Sequence, residues 1–335
     1  MTNINILPDN ENVYNEHNGS DVLTVNAMPS KTWHWLSVNE AKIKWDSNSE
    51  EKYADELIVI SENNKEEIWV DDITTQNEYN SKKVKIDAKE NSEVTIVSNH
   101  YANNNLRAFM DINLSKNAKV KLVQLLSSAD KALYNEVKVS CDEKSSFELV
   151  QAFMGKNQGD AGYSGKIYSN VIVNLDKDNS EFKYDMGYLG QGDNLLDYNL
   201  VVNHFGKNTN CEINVNGALK DKSQKTFRGT IDFKNGSSGS VGAENETVLM
   251  LGDDVVNKTV PVILCSEEEV SGTHGASIGE LDEETLFYFE SRGIDKEKAE
   301  NIMARASVER LVGLIENANE KELIEKALQE VLGDD

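Results

Sequence analysis

At 335 residues, with 58 acidic against 34 basic side chains and a formal net charge of -24, the chain has room for one large domain with attachments or for two domains. That charge argues against a nucleic-acid backbone or an anionic membrane as the main partner, because both are held by patches of Lys and Arg. The first twenty residues are polar and Asn-rich, and no apolar run approaches the roughly 18 residues of a membrane span, so the expectation is a cytoplasmic protein that is not exported.

Residues 1–28 read as loose, with at most one short helix. Residues 29–45, PSKTWHWLSVNEAKIKW, hold three of the four tryptophans and read as a lead-in that caps the first β layer, with His34 packed between Trp33 and Trp35. Residues 1–55 are thus taken as an N-terminal segment.

From about 56 to 280 the texture changes. Short β-prone runs recur, among them Glu56–Ile60, Glu93–Val97, Lys119–Val123, Ser146–Val150, Ser169–Val173, Asp197–Val202, Cys211–Val215, Phe227–Ile231 and Thr247–Leu251. Most alternate polar with apolar residues, the period-2 mark of a half-buried strand. Ala-rich or heptad stretches that would supply crossover helices are missing, which argues against a doubly wound α/β sheet. Asn, Asp, Gly and Lys sit at nearly every break, and phrases such as SKNAKVKLV, DEKSSFELV and DKDNSEFKY repeat one plan of polar turn followed by strand. Stacked coils of a β-solenoid look like this, each burying its neighbour's apolar face, and a sandwich is the other architecture the pattern fits.

The three cysteines, Cys141, Cys211 and Cys265, are far apart and form no CxxC. They read as reduced thiols, two of them in the core, and the spacing excludes a clustered structural zinc site.

The stretch from Val260 to Ile294 organises the end of the chain. An apolar strand, Val260–Leu264, runs into Cys265. A loop follows with Glu267, Glu268, Glu269 and His274, and then a helix from about Glu283 to Ser291 that Gly293 stops. Beyond it, Asp295 is a plausible N-cap for a helix with Ala299, Ile302, Met303, Ala306, Leu311, Val312, Leu314 and Ile315 near helical spacing. A third helix carries Leu323, Ile324, Ala327, Leu328, Val331 and Leu332. Residues 281–335 therefore read as a helical unit that either folds back on the β part or faces a partner.

These residues carry a resemblance. The run HFGKNTN…KDKSQKTFRGTIDF (His204 to Phe233), then VPVILCSEEEV…HGASIGELDEETLFYFESRGI, resembles the SufB/SufD family of iron–sulfur cluster assembly proteins, and His274 through Gly293 is closest to the SufD branch. PSKTWHWLSV is similar to the family's N-terminal Trp motif. The match is convincing over about 160–315. The resemblance implies a right-handed parallel β-helix with a C-terminal helical domain that docks on SufC, an ABC-type ATPase. It also implies pairing of two such subunits through the last β-helix strands, sulfur from a desulfurase system, and a transient cluster at the subunit interface. No G-x-x-x-x-G-K-[ST] loop is present, so ATP enters only through SufC. The sequence leaves flavin binding open.

Site residues follow from the same resemblance. His274 matches the SufD histidine at the subunit interface, where an imidazole suits iron beside a partner's thiolate. Cys265 is the nearest thiol, for sulfur ligation or persulfide transfer, with a buried structural role as the alternative. Glu246, beside Thr247, stands where SufB chains carry an interface cysteine. Glu267–Glu269 are either iron-gathering or a solvated face. Leu286, Phe287, Tyr288, Arg292 and Gly293 are the expected SufC contact, so removing 295–335 should leave a folded β part that no longer retains SufC. Cys211 and His204 are expected to be structural. Departures from SufB are Gly275 in place of a glutamate, Glu246 in place of the interface cysteine, and Val171 at the core cysteine position. They favour a SufD-like, non-enzymatic companion of SufB, with a compact self-pairing scaffold as the second reading. A carbohydrate-active β-helix is the remote third, which needs paired carboxylates along one sheet face.

Overall fold

The computed structural model describes residues 22–32, 34–44, 53–70, 81–102, 104–155 and 164–315, together with 321, 322, 325, 326 and 329. Its body is a parallel β-solenoid. One sheet, here the A face, is built from β3 (Tyr53–Ile60), β5 (Ser81–Ala88), β7 (Leu106–Leu114), β9 (Ala132–Cys141), β11 (Lys166–Leu175), β13 (Leu195–His204), β15 (Gln224–Phe233) and β17 (Val256–Cys265). The other, the C face, is built from β4 (Lys65–Val70), β6 (Glu93–Ala102), β8 (Lys119–Ser128), β10 (Ser146–Gly155), β12 (Glu181–Gly190), β14 (Asn210–Lys220), β16 (Val241–Leu251) and β18 (Ser271–Gly279). Each coil is one A-face strand followed by one C-face strand, and every neighbour within a face is parallel and in step, as in Phe227↔Thr259 and Glu244↔His274.

The alternation in the sequence produces this directly. In β5 the inward Val84, Ile86 and Ala88 are buried, while Lys83, Lys85 and Asp87 between them are partly exposed. Stacked inward positions form one continuous core from Ile58 to Val248, in which Phe147, Phe182, Tyr184, Tyr188, Tyr198, Phe227 and Phe233 fill the middle and far coils. Phe147 and Phe182 stack with ring centroids 5.7 Å apart.

The polar turns seen in the sequence are one corner, repeated. Asn63, Asn91, Asn117, Lys144, Asn179 and Asn208 all take left-handed backbone there, a region Asn enters at least cost among residues with a side chain. Asn117 donates to Asn91 at 2.9 Å and Asn91 to Asn63 at 3.3 Å. After Asn91, Lys144 and Asn179 a serine caps the turn, as Ser92 does on the Lys89 carbonyl at 2.6 Å and Ser145 on that of Asp142 at 2.7 Å.

Three sequence expectations need correction here. Val22–Val25 is not loose: it is strand β1, paired antiparallel with β2 (Ala41–Lys44). This hairpin does not cap the first coils. It lies across the outer A face further along, with Val25, Ala41 and Ile43 packed on Ala132, Tyr134 and Tyr168. Arg228 is its anchor, donating to the Val38 carbonyl and, at 2.6 and 3.1 Å, to the Asp197 carboxylate, which also accepts from Asn26 at 2.7 Å. Trp35 stays 78% exposed; Trp33 and the side chain of His34 lie outside the described residues. Second, His274 sits on a strand, β18, and not in a loop. Third, the helix begun at Asp295 ends at Glu309, and Val312–Leu314 is a separate 3₁₀ turn.

The helices settle which way the tail turns. Helix α1 (Glu283–Ser291) starts at Asp282, whose carboxylate accepts from Thr285 N–H at 2.7 Å, and buries none of its residues. Gly293 ends it at φ 80°, with its N–H on the Glu290 carbonyl at 2.9 Å. Helix α2 (Lys296–Glu309) folds back on the C face: Ala304, Val308, Leu311 and Ile315 pack on Val123, Val150, Ala152, Met154, Leu189 and Ala218. Arg310 to Asp185 at 2.9 Å and Lys121 to the Leu314 carbonyl at 2.7 Å pin it. Of the third helix read from the sequence, residues 321, 322, 325, 326 and 329 are described and helical, and its apolar positions lie outside the described residues. No helix among those described is long and apolar enough to cross a membrane.

Candidate functional site

The solenoid ends in a coil with nothing stacked on it. Strands β17 and β18 each pair on one side only, β18 is exposed throughout, and β17 is half-buried. Pro261 sits in β17 because an edge strand tolerates a missing N–H. Charge separates the two ends: β17 and β18 together carry Lys258 alone among Asp, Glu, Lys and Arg, whereas β3 and β4 at the opposite end carry Asp55, Glu56, Lys65, Glu66 and Glu67.

Which side chains face the lumen at this open end follows from phase. A Cβ on Gly272 would touch Phe233 and Ile263, both lumenal, so Gly272, His274, Ala276 and Ile278 form the inner row of β18. In β17 the inner row is Asn257, Thr259, Pro261, Ile263 and Cys265. His274 and Cys265 therefore belong to the same open mouth, at different corners: His274 stacks in register on Glu244 and Cys265 on Phe233.

Cys265 is the exposed thiol, and its S–H donates to the Glu267 carbonyl at 3.0 Å. It is not part of this chain's core. Cys141 and Cys211 are the core pair, each pushed up to about 12 by burial. The acidic loop holds a turn: Glu267 accepts from Gly236 N–H at 2.9 Å and Glu269 from the Ser238 hydroxyl at 2.7 Å. Those backbone N–H groups hold the Glu267 carboxyl below its usual range. Two of the three carboxylates are thus occupied.

Beneath the mouth lie Glu246, named from the resemblance, and two groups that sequence reasoning missed, Lys225 and Glu244. Lys225, on the inner row of β15, donates to Glu246 and, at 3.1 Å, to the Thr259 hydroxyl. Burial pushes the ammonium of Lys225 down, against the pull of Glu246. Glu246 is 2% exposed, and its Oε2 has no hydrogen-bond partner. Glu244, on the same inner row of β16, is 3% exposed, and among the described residues its carboxylate takes part in no hydrogen bond or ion pair. Burial, and then the neighbouring Glu246, push its carboxyl up to about 8. Gly229 makes room for it, since a Cβ there would collide with the Glu244 carboxylate. The signal was present in the sequence: Glu244 and Glu246 share phase with Val248, the buried side of the strand.

His204 and Cys211 are drawn together two coils below Cys265. The imidazole Nε2 lies 3.3 Å from Sγ, and Nδ1 lies 2.7 Å from the Thr209 hydroxyl. Burial holds His204 down to about 4, so imidazole and thiol are both neutral and the pair is not a nucleophile. Among the described residues no three His, Cys, Asp or Glu side chains are gathered into a ready-made metal cage. Of the residues expected to contact SufC, Phe287 and Tyr288 are 72% and 56% exposed, and the Arg292 guanidinium lies 5.3 Å from the Tyr288 ring centre.

Fold and site together define a class: a parallel β-solenoid whose open last coil carries a thiol, an imidazole and buried carboxylates. Comparison with known proteins identifies the family. Residues 72–307 match the model of the SufBD core domain of the SUF system for iron–sulfur cluster assembly, and the chain belongs to that family. It is similar to the iron–sulfur cluster assembly protein SufD of Bacillus subtilis strain 168, with 28% identity over 227 residues covering 66% of this chain and 50% of the relative. SufD of Plasmodium berghei is 26% identical over 243 residues, covering 70% of this chain and 17% of that protein. A chloroplastic SufBD family protein of Arabidopsis thaliana is 29% identical over 132 residues, covering 39% and 23%. The chain spans about half the length of the Bacillus relative and less of the other two.

Proposed function

We propose that this chain is a non-catalytic scaffold subunit for iron–sulfur cluster assembly, which pairs through its open coil and places His274, Cys265 and Glu246 at the junction. The observation that carries the reading is the unpaired last coil, whose strands are charge-poor and whose inner row offers imidazole and thiol at the same mouth. Such an edge is filled in nature by another strand or covered. A SufB-like subunit stacked there completes both sheets and brings its own thiol to His274. Val171, buried in the core at 2% exposure, and Gly275 leave this chain without the SufB groups at those positions, which supports the SufD-like role. The exposed Cys265 supports the second reading, a self-paired scaffold in which two copies supply both thiol and imidazole.

Exposed Phe287 and Tyr288 on α1 fit an apolar contact with SufC, which would supply ATP hydrolysis; sulfur comes from a desulfurase system and the cluster is cargo. The setting is cytoplasmic. The test is the native mass of this chain co-expressed anaerobically with SufC and, where one exists, SufB. One copy with one SufB and two SufC makes it a SufD-type subunit, and two copies with two SufC make it self-sufficient. A lone chain that ignores SufC refutes the proposal.

A further inference from the structure

We infer that the lead-in between β1 and β2 is a clasp for a second copy of this chain, with Trp35 as the anchor it presents at the open coil. The inference rests on reading the last coil as the pairing end, and it adds to that junction a segment that lies outside the solenoid.

The lead-in climbs the outer A face coil by coil. Val25, Ala41 and Ile43 pack at the level of β9 and β11. The Asn26 amide donates to Asp197 of β13, the Val38 carbonyl accepts from Arg228 of β15, and the Leu36 carbonyl accepts from Lys258 of β17 at 3.1 Å. Successive coils are about 4.8 Å apart, so the 3₁₀ turn His34–Leu36 stands at the level of the last coil. Lys258, the one charged side chain on the strands of that coil, holds it there.

The shape of the lead-in is fixed from within. Thr32 N–H donates to Asn39 Oδ1 at 2.6 Å, Asn39 Nδ2 donates back to the Thr32 carbonyl at 3.2 Å, and Met28 N–H donates to the Asn39 carbonyl at 2.9 Å. Ser37 takes left-handed backbone at φ 52°, which persists only where the surroundings hold it. A loop tied in this way loses little entropy when a partner meets it. What it presents is Trp35, the most exposed large hydrophobic residue among those described, and Val256 and Ile278 are exposed at the same end.

A Trp anchor needs an apolar or small, uncharged surface to cover it. A second last coil offers one on either sheet: Val260, Val262 and Leu264 form the outer row of β17, and Thr273, Gly275 and Ser277 that of β18. The strands of the first coil, with Asp55, Glu56, Lys65, Glu66 and Glu67, do not. Two copies that meet through the same surface use each Trp35 against the other, so one substitution removes two anchors.

Sedimentation of the isolated full-length chain over a concentration series reads this directly. Wild type should form a dimer, and Trp35→Ala should weaken it by about 10-fold or more, as loss of an interface Trp anchor does, with urea unfolding unchanged. Trp35→Phe should recover most of the affinity. Hydroxyl-radical footprinting read by mass spectrometry should find Trp35 protected in the dimer and oxidised in dilute monomer. An unaltered dimer in Trp35→Ala, a loss of urea stability in that variant, equal oxidation of Trp35 in both states, or a wild type that stays monomeric overturns the inference. A chain that is monomeric alone yet pairs with SufB and retains SufC loses this inference only. A chain that pairs with neither itself nor SufB would instead strike the functional proposal.

Discussion

Replacing Arg228 by Met tests how the N-terminal hairpin is held. The guanidinium is 1% exposed, grips both Asp197 oxygens at 2.6 and 3.1 Å, and gives its Nε–H to the Val38 carbonyl. Met keeps the aliphatic volume and removes the charge. Asp197, itself 7% exposed, would keep only the Asn26 amide. Breaking one side of a buried ion pair costs about 3–5 kcal/mol, because the other charge remains uncompensated. The loss has a ceiling, however. The β1–β2 hairpin can lift off and let water reach Asp197, so the measured loss cannot exceed the hairpin's docking free energy. Urea unfolding should therefore show a loss of about 3 kcal/mol or more, or an early transition confined to the hairpin, with new protease cleavage between residues 26 and 40. Arg228→Met combined with Asp197→Leu should recover most of the loss. A single variant within about 1 kcal/mol of wild type, with the hairpin still protected, would refute the reasoning.

Burial holds His100 down to about 3, and neither ring nitrogen has a partner. The unfolded state, with an ordinary imidazole, takes a proton as pH falls below about 6.5, while the folded state does not. Stability should therefore fall between pH 6.5 and 4, less steeply in His100→Leu, with His204 supplying much of the remainder; equal slopes would count against the argument. Gly229→Ala should cost about 1–3 kcal/mol by overpacking, and Glu244→Ala in the same chain should relieve it; additive losses would show that the two do not touch. Phe287→Ala with Tyr288→Ala should change stability by about 0.5 kcal/mol or less, as expected of exposed positions, yet abolish SufC retention in a pull-down. Iodoacetamide should label Cys265 in the native chain and leave Cys141 and Cys211 until urea is added, which mass spectrometry reads directly. Deleting 295–335 is no longer a clean test of SufC binding. Helix α2 covers Val123, Val150, Ala152, Met154 and Leu189, so its removal exposes an apolar stripe and invites aggregation.

The solenoid was legible because its strands alternate and its turns repeat one chemistry, and both helix starts were legible in Asp282 and Asp295, whose side chains do cap. What escaped had specific causes. Ser271–Gly279 has three glycines and little β-propensity; it becomes a strand because β16 offers it a template in register. Val22–Val25 is four residues long, and its partner lies beyond the Trp-rich turn, so nothing local marks it as a strand. Glu244 and Glu246 resemble solvated charges in an acidic chain, and only the inward phase of β16 marks them as buried. His274 and Cys265 were both named from the resemblance, but which corner of the lumen each faces required the register of the coils.

The contrast between the two ends of the solenoid bears on symmetry. A rod of parallel coils has a head and a tail, and stacking head on tail repeats one contact without limit, as a fibre does. Here the strands of the first coil carry Asp55, Glu56, Lys65, Glu66 and Glu67, while the strands of the last carry Lys258 alone and its charge sits in the Glu267–Glu269 corner. A charge-poor tail loses more by meeting that head than by meeting another tail. Tail-to-tail contact turns the two rods about a dyad, uses up both sticky ends at once, and stops at two. If the subunit pairs through this end as proposed, the uneven charge of the strands favours an assembly that closes at two.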